Sequence, residues 1–290
     1  MPAASAVNSS GRPAPVANAD AATGREFAYT FADFERIRVL IHAHAGIVLS
    51  PAKQDMVYGR LARRLRRQGL ASFSAYIDLI LRDRGEWEAF VNALTTNLTS
   101  FFREAHHFQM LAEHLRASSA SRFSIWCCAA STGEEPYSLA ITACETFATL
   151  QPPVTIFATD INTSVIEEAR AGLYPADRLS GLAPGLAQKY FVESGQAGQR
   201  RVRPELQRLI TFGRLNLLDP IWPARGAFDA IFCRNVMIYF DKATQYAILK
   251  RFGPLLRPDG RLVAGHSESF AHASEIFRPL GRTVYARVSS

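Results

Sequence analysis

The stretch FSIWCCAASTGEEPYSLAITAC, Phe123 to Cys144, decides the fold. Phe123 to Ala130 is almost continuously apolar, as a central strand of a parallel sheet covered on both faces must be. Ser131, Thr132 and Gly133 then supply a turn and a helix cap. Tyr137, Leu139, Ala140 and Ile141 carry a helical apolar stripe. A strand-turn-helix unit of this kind places a ligand at the helix N-terminus. Here the first helical turn carries Glu134 and Glu135. Carboxylates suit the positive end of a helix but repel a phosphate. The pocket is therefore expected to take a nucleoside bearing positive charge and hydroxyls rather than a pyrophosphate.

Downstream, strands alternate with helices. VTIFATD, Val154 to Asp160, reads as a second strand ending on an acid, and Val165 to Ala171 as its helix. FDAIFCRNVMIYF, Phe228 to Phe240, opens with a third apolar strand, and GRLVAGHSESF, Gly260 to Phe270, is another with a polar exit. TVYARV, Thr283 to Val288, alternates and is expected as an antiparallel edge strand. Alternation of this kind predicts an α/β domain whose parallel sheet is covered on both faces. Tyr190 to Asn216 breaks the rhythm. Its pieces YFVES, RRVRPEL and LITFGRLN are separated by Gly-rich turns and predict a small antiparallel insert over about 190–216. Upstream the pattern is helical. Phe31, Phe34, Ile37 and Ile41 mark one helix, Val57, Leu61 and Leu65 a second, and Phe73, Tyr76, Ile77 and Ile80 a third. Residues 1–24, rich in Ala, Pro, Ser and Asn, read as a disordered tail. The expected division is thus a tail over 1–24, a small all-α domain over 25–95 and an α/β domain over 96–290.

The 290 residues are 48% apolar and 20% charged, an ordinary globular composition. No apolar run approaches a membrane span, and no basic segment followed by an apolar core opens the chain. Cys127, Cys128, Cys144 and Cys233 fall in predicted core elements, without disulfide or zinc spacing. A reduced, cytoplasmic setting is expected, with no insertion into a membrane. The net charge of +7 suits an acidic partner: nucleic acid, a membrane surface or an acidic protein.

Particular residues carry the chemistry. Asp160, downstream of the glycine turn, is placed to accept the hydroxyls of a ribose, or else to cap the helix that follows. S-adenosylmethionine, with its sulfonium, ammonium and ribose, suits such a pocket. A dehydrogenase would want a G-x-G-x-x-G series, and this turn has only Gly133. In NLTSFFRE, Asn97 to Glu104, the polar residues read as a helix cap at a domain joint, with Arg103 as a fixed cation beside a cofactor or acidic substrate. Asn235 lies where the third strand leaves the sheet, and Tyr239 one helical turn further, as a site residue or a core aromatic. Arg60, Arg63, Arg64, Arg66 and Arg67 put five cations in eight residues without a neighbouring acid, which predicts a binding surface for an acidic helix or nucleic acid. His106, His107 and His114 lack a completing Cys or acid, so no metal is expected, and the role of His266 stays open.

Taken together, AGIVLSPAKQDMVYGRLARRLR, ALTTNLTSFFREAHHF, AASTGEEPYSLAI, FATDINTSVIEEARAGLY, FDAIFCRNVMIYFD and GHSESF resemble the CheR-type chemotaxis receptor methyltransferases over almost the whole chain after the tail. The resemblance implies a helical, receptor-docking domain followed by a nucleotide-binding (Rossmann-like) methyltransferase domain with a small antiparallel insert. It implies transfer of a methyl group from S-adenosylmethionine to glutamate side chains of chemoreceptor cytoplasmic helices, with S-adenosylhomocysteine as the product. It implies cofactor contacts at Asn97, Thr99, Arg103, Glu134, Asp160, Asn216, Leu217, Arg234 and Asn235, and places Arg103 and Tyr239 beside the transferred methyl. The arginine-rich helix matches the receptor-docking surface. The insert matches the part that in some members grips a receptor tether, although the match is loosest around Glu193 to Arg200. A monomer is expected. The competing readings are a methyltransferase with another protein or a nucleic-acid acceptor, and a non-catalytic scaffold that binds the cofactor. CRNVMIYF in place of an Asn-Pro-Pro-Tyr-type base pocket argues against nucleic acid.

Overall fold

The computed structural model describes residues 25–224 and 226–288, so the expected N-terminal tail lies outside the described residues. The described residues form two compact units, one from residues 25–43 with Val48–Thr95, the other from His44–Ile47 with the described residues from Thr96 onward.

The first unit is all helical: α1 (Phe31–Ala45), a 3-10 turn (Pro51–Lys53), α2 (Gln54–Gln68), α3 (Phe73–Ile80) and α4 (Arg84–Leu94). Three helices are legible from apolar spacing. The fourth begins at Asp83, whose carboxylate accepts the Glu86 amide at 2.8 Å as an N-cap. Ile37, Ile41, Val57, Leu61, Leu65, Phe73, Tyr76 and Phe90 form the buried core, whereas Phe31 of the expected stripe is exposed. Amid this apolar packing sits one carboxylate, Glu86, only 4% exposed. Arg64 donates to it twice, at 2.9 and 2.5 Å, Tyr76 Oη donates at 2.8 Å, and Gln68 Nε2 donates as well. Glu86 thereby ties α2, α3 and α4 together.

The second unit contains α5 (His106–Ala117), β1 (Phe123–Cys127), α6 (Glu134–Phe147), β2 (Val154–Asp160), α7 (Thr163–Ala171), β3 (Leu173–Pro175), α8 (Leu186–Tyr190), β4 (Phe191–Glu193), β5 (Gln199–Val202), α9 (Pro204–Gln207), β6 (Ile210–Arg214), β7 (Phe228–Phe232), α10 (Lys242–Phe252), β8 (Leu256–Val263), β9 (Phe277–Gly281) and β10 (Val284–Arg287). Seven strands make one sheet in the order β6-β2-β1-β7-β8-β10-β9. The first five run parallel, and β10 is antiparallel to both of its neighbours. Side chains alternate along β1. Phe123, Ile125 and Cys127 enter a core with Leu111, Leu115, Tyr137 and Ile141, while Trp126 joins Ile248, Leu249 and Phe252 on the other face. Helices α5 and α6 therefore cover one face and α10 the other, the arrangement that a run of apolar residues with no polar side demands.

Two expectations are corrected here. The small antiparallel sheet is built from β3, β5 and β4, spanning 173–202, and not from 190–216. ITFGR, counted in the insert, is β6 and pairs in parallel with β2 as the edge of the main sheet. TVYARV does supply an antiparallel strand, β10, but it lies inside the sheet, and β9 takes the edge.

The contacts at Glu86 set the acid stability of the helical unit. Burial alone would raise its pKa, but hydrogen bonds from Arg64, Tyr76 and Gln68 hold it below the ordinary carboxylate value. Its contribution to stability is therefore complete above the unfolded-state value, about 4.3, and is lost as pH falls through the lowered folded value. Glu86→Gln leaves Arg64 without its carboxylate and should cost about 3 kcal/mol in urea unfolding at neutral pH. That loss should shrink progressively below pH ~4. A variant as stable as the parent at pH 7 would show that Glu86 does not hold the three helices.

Candidate active site

Strand β1 has β2 on one side and β7 on the other, so the chain changes winding direction at its C-terminal end. Ligand crevices in open α/β sheets form at that point. The turn there differs from the expected cap. The N-cap of α6 is Gly133, at φ +100°, and no side chain caps the helix. Only glycine fits, because a Cβ at this position would lie 2.5 Å from Tyr174 Oη and 2.9 Å from Ala169 Cβ. Tyr174 Oη donates to the Thr132 carbonyl at 2.7 Å, so a residue of β3 braces the turn. The two expected capping side chains are used elsewhere. Thr132 Oγ1 donates to Glu134 Oε2 at 2.6 Å, and Ser131 Oγ donates to the Asn97 carbonyl at 3.0 Å.

Asp160 ends β2 and is buried. Its Oδ2 accepts the Ser131 amide and its Oδ1 the Asn162 amide, each at 2.9 Å. Burial raises its pKa against the lowering effect of these donors. The alternative role, capping α7, falls to Asn162, whose Oδ1 accepts from Ser164 and Val165. Glu134 is buried and has Arg178 Nη1 at 3.5 Å, which also reaches the Thr99 carbonyl at 3.5 Å. Asn97, Thr99, Glu134 and Asp160 are thus joined through the Ser131–Glu134 turn and Arg178.

Arg234, just past β7, has a side chain with no exposed surface. Nη1 donates to Glu135 Oε2 at 2.5 Å, and Nη2 donates to the Arg103 carbonyl at 2.6 Å and lies 3.2 Å from Glu104 Oε2. This guanidinium is turned into the protein and holds the start of α6 and the 97–105 segment against the end of β7. Among the residues expected to touch a cofactor, its side chain is spent on internal ion pairs. Glu104 lies 3.1 Å from exposed His266 at Nδ1. Burial alone would raise the Glu104 carboxyl, but His266 and Arg234 outweigh it and hold its pKa at about 2. Arg103, half-buried, donates from Nη1 to the Leu98 carbonyl at 2.9 Å. Its two neighbours Phe102 and Glu104 have φ of +51° and +59°. Buried His107, whose pKa burial lowers to about 4, is neutral at neutral pH and contacts the Arg282 carbonyl through Nε2 at 2.9 Å.

The loop after β7 carries Asn235, at φ +56°, and Tyr239, which is half-buried at the end of a 3-10 turn (Met237–Tyr239) rather than a core aromatic. Asn216 and Leu217 follow β6 and are buried. Asn216 Nδ2 donates to the His44 carbonyl at 2.6 Å, while Arg251 donates to the carbonyls of Leu217 and Pro220 and stacks on Trp222 at 3.6 Å. Glu104, Arg178 and Glu268 were missed from the sequence. The one signal for Glu104 was its place beside Arg103, and for Glu268 its place beside the open question of His266.

The five arginines of α2 belong to the helical unit, and the expectation that no acid compensates them is corrected. Arg64 is bound to Glu86, and Arg66 pairs with Glu26, its Nη2 donating at 2.5 Å. Arg60 donates to the carbonyls of Ala93, Leu94 and Thr95 at the end of α4. Arg63 and Arg67 remain exposed.

The donor set at the sheet edge fits a nucleoside with hydroxyls and a cationic side chain. A carboxylate has about four lone-pair sites, more than the amides on Asp160 fill, and Glu134 at the start of α6 adds a second buried carboxylate at the same sheet edge. Residues 32–95 match the family model described as CheR methyltransferase, all-alpha domain, and residues 97–286 the one described as CheR methyltransferase, SAM binding domain. The chain is 52% identical over 259 residues to the chemotaxis protein methyltransferase of Escherichia coli strain K12, covering 88% of this chain and 90% of the relative. It is 50% identical over 266 residues to that of Salmonella typhimurium strain LT2, covering 90% and 92%. It is 49% identical over 266 residues to chemotaxis protein methyltransferase 2 of Pseudomonas aeruginosa PAO1, covering 90% and 95%. The chain therefore belongs to the CheR family of chemotaxis methyltransferases, and its α/β domain is the S-adenosylmethionine-binding one.

Proposed function

We propose that the protein methylates glutamate carboxylates on the cytoplasmic helices of chemoreceptors, giving glutamyl methyl esters. The observation that carries this reading is the convergence of separate segments on one sheet edge. Ser131 links the Asn97 carbonyl to Asp160, and Arg234 links Glu135 to the Arg103 carbonyl, so two hydrogen-bonded sets bring the acids and the backbone that carries the cation at 103 to the same edge. In this reading Asn97, Thr99, Arg103, Glu134, Asp160, Asn216, Leu217 and Asn235 line the cofactor site, and Arg234, whose side chain is fully enclosed, serves it by holding Glu135 and the Arg103 carbonyl in place. Asp160 takes the ribose hydroxyls and Glu134 the ammonium. Among the described residues no helix is long and apolar enough to cross a membrane, and the reading has the protein working in the cytoplasm as a monomer.

S-adenosylmethionine supplies an electrophilic methyl on its sulfonium. The acceptor carboxylate, with an ordinary pKa of about 4.3, is ionised at neutral pH and needs no general base. The protein's task is alignment and exclusion of water. Arg103 and Tyr239 orient the incoming carboxylate. Arg103 acts by position, since a tight bidentate grip would lower the nucleophilicity of the same oxygens. Docking on an acidic helix falls to Arg63 and Arg67, because Arg60, Arg64 and Arg66 already serve the fold.

The direct test is methyl transfer from labelled S-adenosylmethionine to a chemoreceptor cytoplasmic fragment, scored as alkali-labile methanol. Base-stable label would point to another acceptor. Arg103→Ala should lower turnover about 100-fold and Tyr239→Phe about 10-fold, with cofactor still bound. Unchanged turnover in both would remove them from the reaction. Reversing the charge at Arg63 and Arg67 should lower kcat/KM for the receptor and flatten its salt dependence, leaving cofactor affinity intact. The same reversal at Arg64 should instead unfold the helical unit, and receptor kinetics indifferent to Arg63 and Arg67 would rule out this docking face.

A further inference from the structure

Glu268 is buried, and both of its carboxylate oxygens are taken up by backbone amides. Its Oε2 accepts the amides of Asn235 at 2.9 Å and Gly265 at 2.5 Å. Its Oε1 accepts those of Val236 at 3.0 Å, Met237 at 2.8 Å and Ile238 at 3.3 Å. Four consecutive backbone N–H groups converge on one carboxylate because Asn235 takes the left-handed conformation, φ +56°. Such a concavity of successive amides is an anion-binding nest, and here the chain fills it with its own side chain. The fit leaves no room at Gly265, where a Cβ would lie 2.2 Å from Asn235 Nδ2.

The turn so held is the one that carries Tyr239. The Tyr239 amide donates to the Val236 carbonyl at 3.1 Å, and the Phe240 amide to the Met237 carbonyl at 3.1 Å. From the far side, Gln245 Nε2 donates to the carbonyls of Met237 and Phe240 at 2.9 and 3.1 Å. The backbone on either side of Tyr239 is thus fixed, while its ring stays half-exposed. We infer that Glu268 is the positioning residue for Tyr239, holding the 235–238 amides so that the phenol meets the acceptor. The inference rests on the role given to Tyr239 above. Glutamine is isosteric but offers one acceptor oxygen, and its NH2 would face amide donors instead of accepting from them.

The test is a double-mutant cycle on turnover in the full chain, with Tyr239→Phe, Glu268→Gln and the pair, each checked for its thermal unfolding midpoint. Tyr239→Phe should lower turnover about 10-fold, Glu268→Gln about 30-fold, and the pair no further than Glu268→Gln alone, because a misplaced phenol has nothing left to lose. Glu268→Asp, which keeps the charge, should recover part of the lost turnover, and it takes the place of the glutamine variant in the cycle if that chain does not fold. If Tyr239→Phe is impaired but the two effects multiply to about 300-fold, Glu268 acts only on general stability and the inference fails alone. If Tyr239→Phe turns over normally, the role of Tyr239 fails and the inference falls with it.

Discussion

A guanidinium with no exposed surface has to be balanced where it lies, and Arg234 is balanced by Glu135, Glu104 and the carbonyl of Arg103. Removing such a charge from water costs several kcal/mol, which only close carboxylates and hydrogen bonds can offset. The partners come from the first turn of α6 and from the 97–105 segment, while Arg234 itself lies just past the end of β7. Satisfying this one side chain therefore brings together three parts of the sequence. The segment carrying Arg103 has little regular structure to fix it, and its left-handed residues at Phe102 and Glu104 would not persist unsupported. The ion pairs supply that support without the guanidinium itself needing to reach solvent.

The same economy recurs at two other buried charges. Glu86 gathers α2, α3 and α4 through Arg64, Gln68 and Tyr76, and Glu268 gathers five amides of two loops. Apolar packing decides which faces are inside, but it is tolerant of small shifts. A carboxylate meeting several donors at hydrogen-bonding distance is not. In this protein the apolar cores build the layers, and the buried carboxylates fix how particular helices and loops meet.

What could be read from residues follows the same division. The parallel strands β1, β2 and β7 were legible because runs such as FSIWC and FDAIF are apolar at all but one position. The edge strands were not. β6 is partly exposed and contains Gly213, so it reads as one more piece of the insert, and β9, FRPLG, contains the residues that ordinarily end strands. The acids that compensate the arginine run were invisible because Glu86 lies 22 residues from Arg64, and Glu26 lies 40 from Arg66. Glu268 sits between serines in a polar stretch and looks like a solvent-facing residue, since nothing local announces a nest closed by a loop more than 25 residues away. The place of the glycine turn and of the acids Glu134 and Asp160 was legible because strand periodicity puts them at one sheet edge.

The contact between Gly133 and Tyr174 changes what the small sheet is. Tyr174 belongs to β3, yet its hydroxyl holds the Thr132 carbonyl and occupies the space where any side chain at 133 would stand. The three-stranded sheet is for that reason a wall of the cofactor turn and not an appendage beside it. A chain from which it was cut would retain every residue of the glycine turn and lose the surface that gives the turn its shape. The tyrosine at its root is shared property of the turn and the sheet, and Phe191 of β4 stands edge-on against it, so the outer strand too is tied to the cofactor domain.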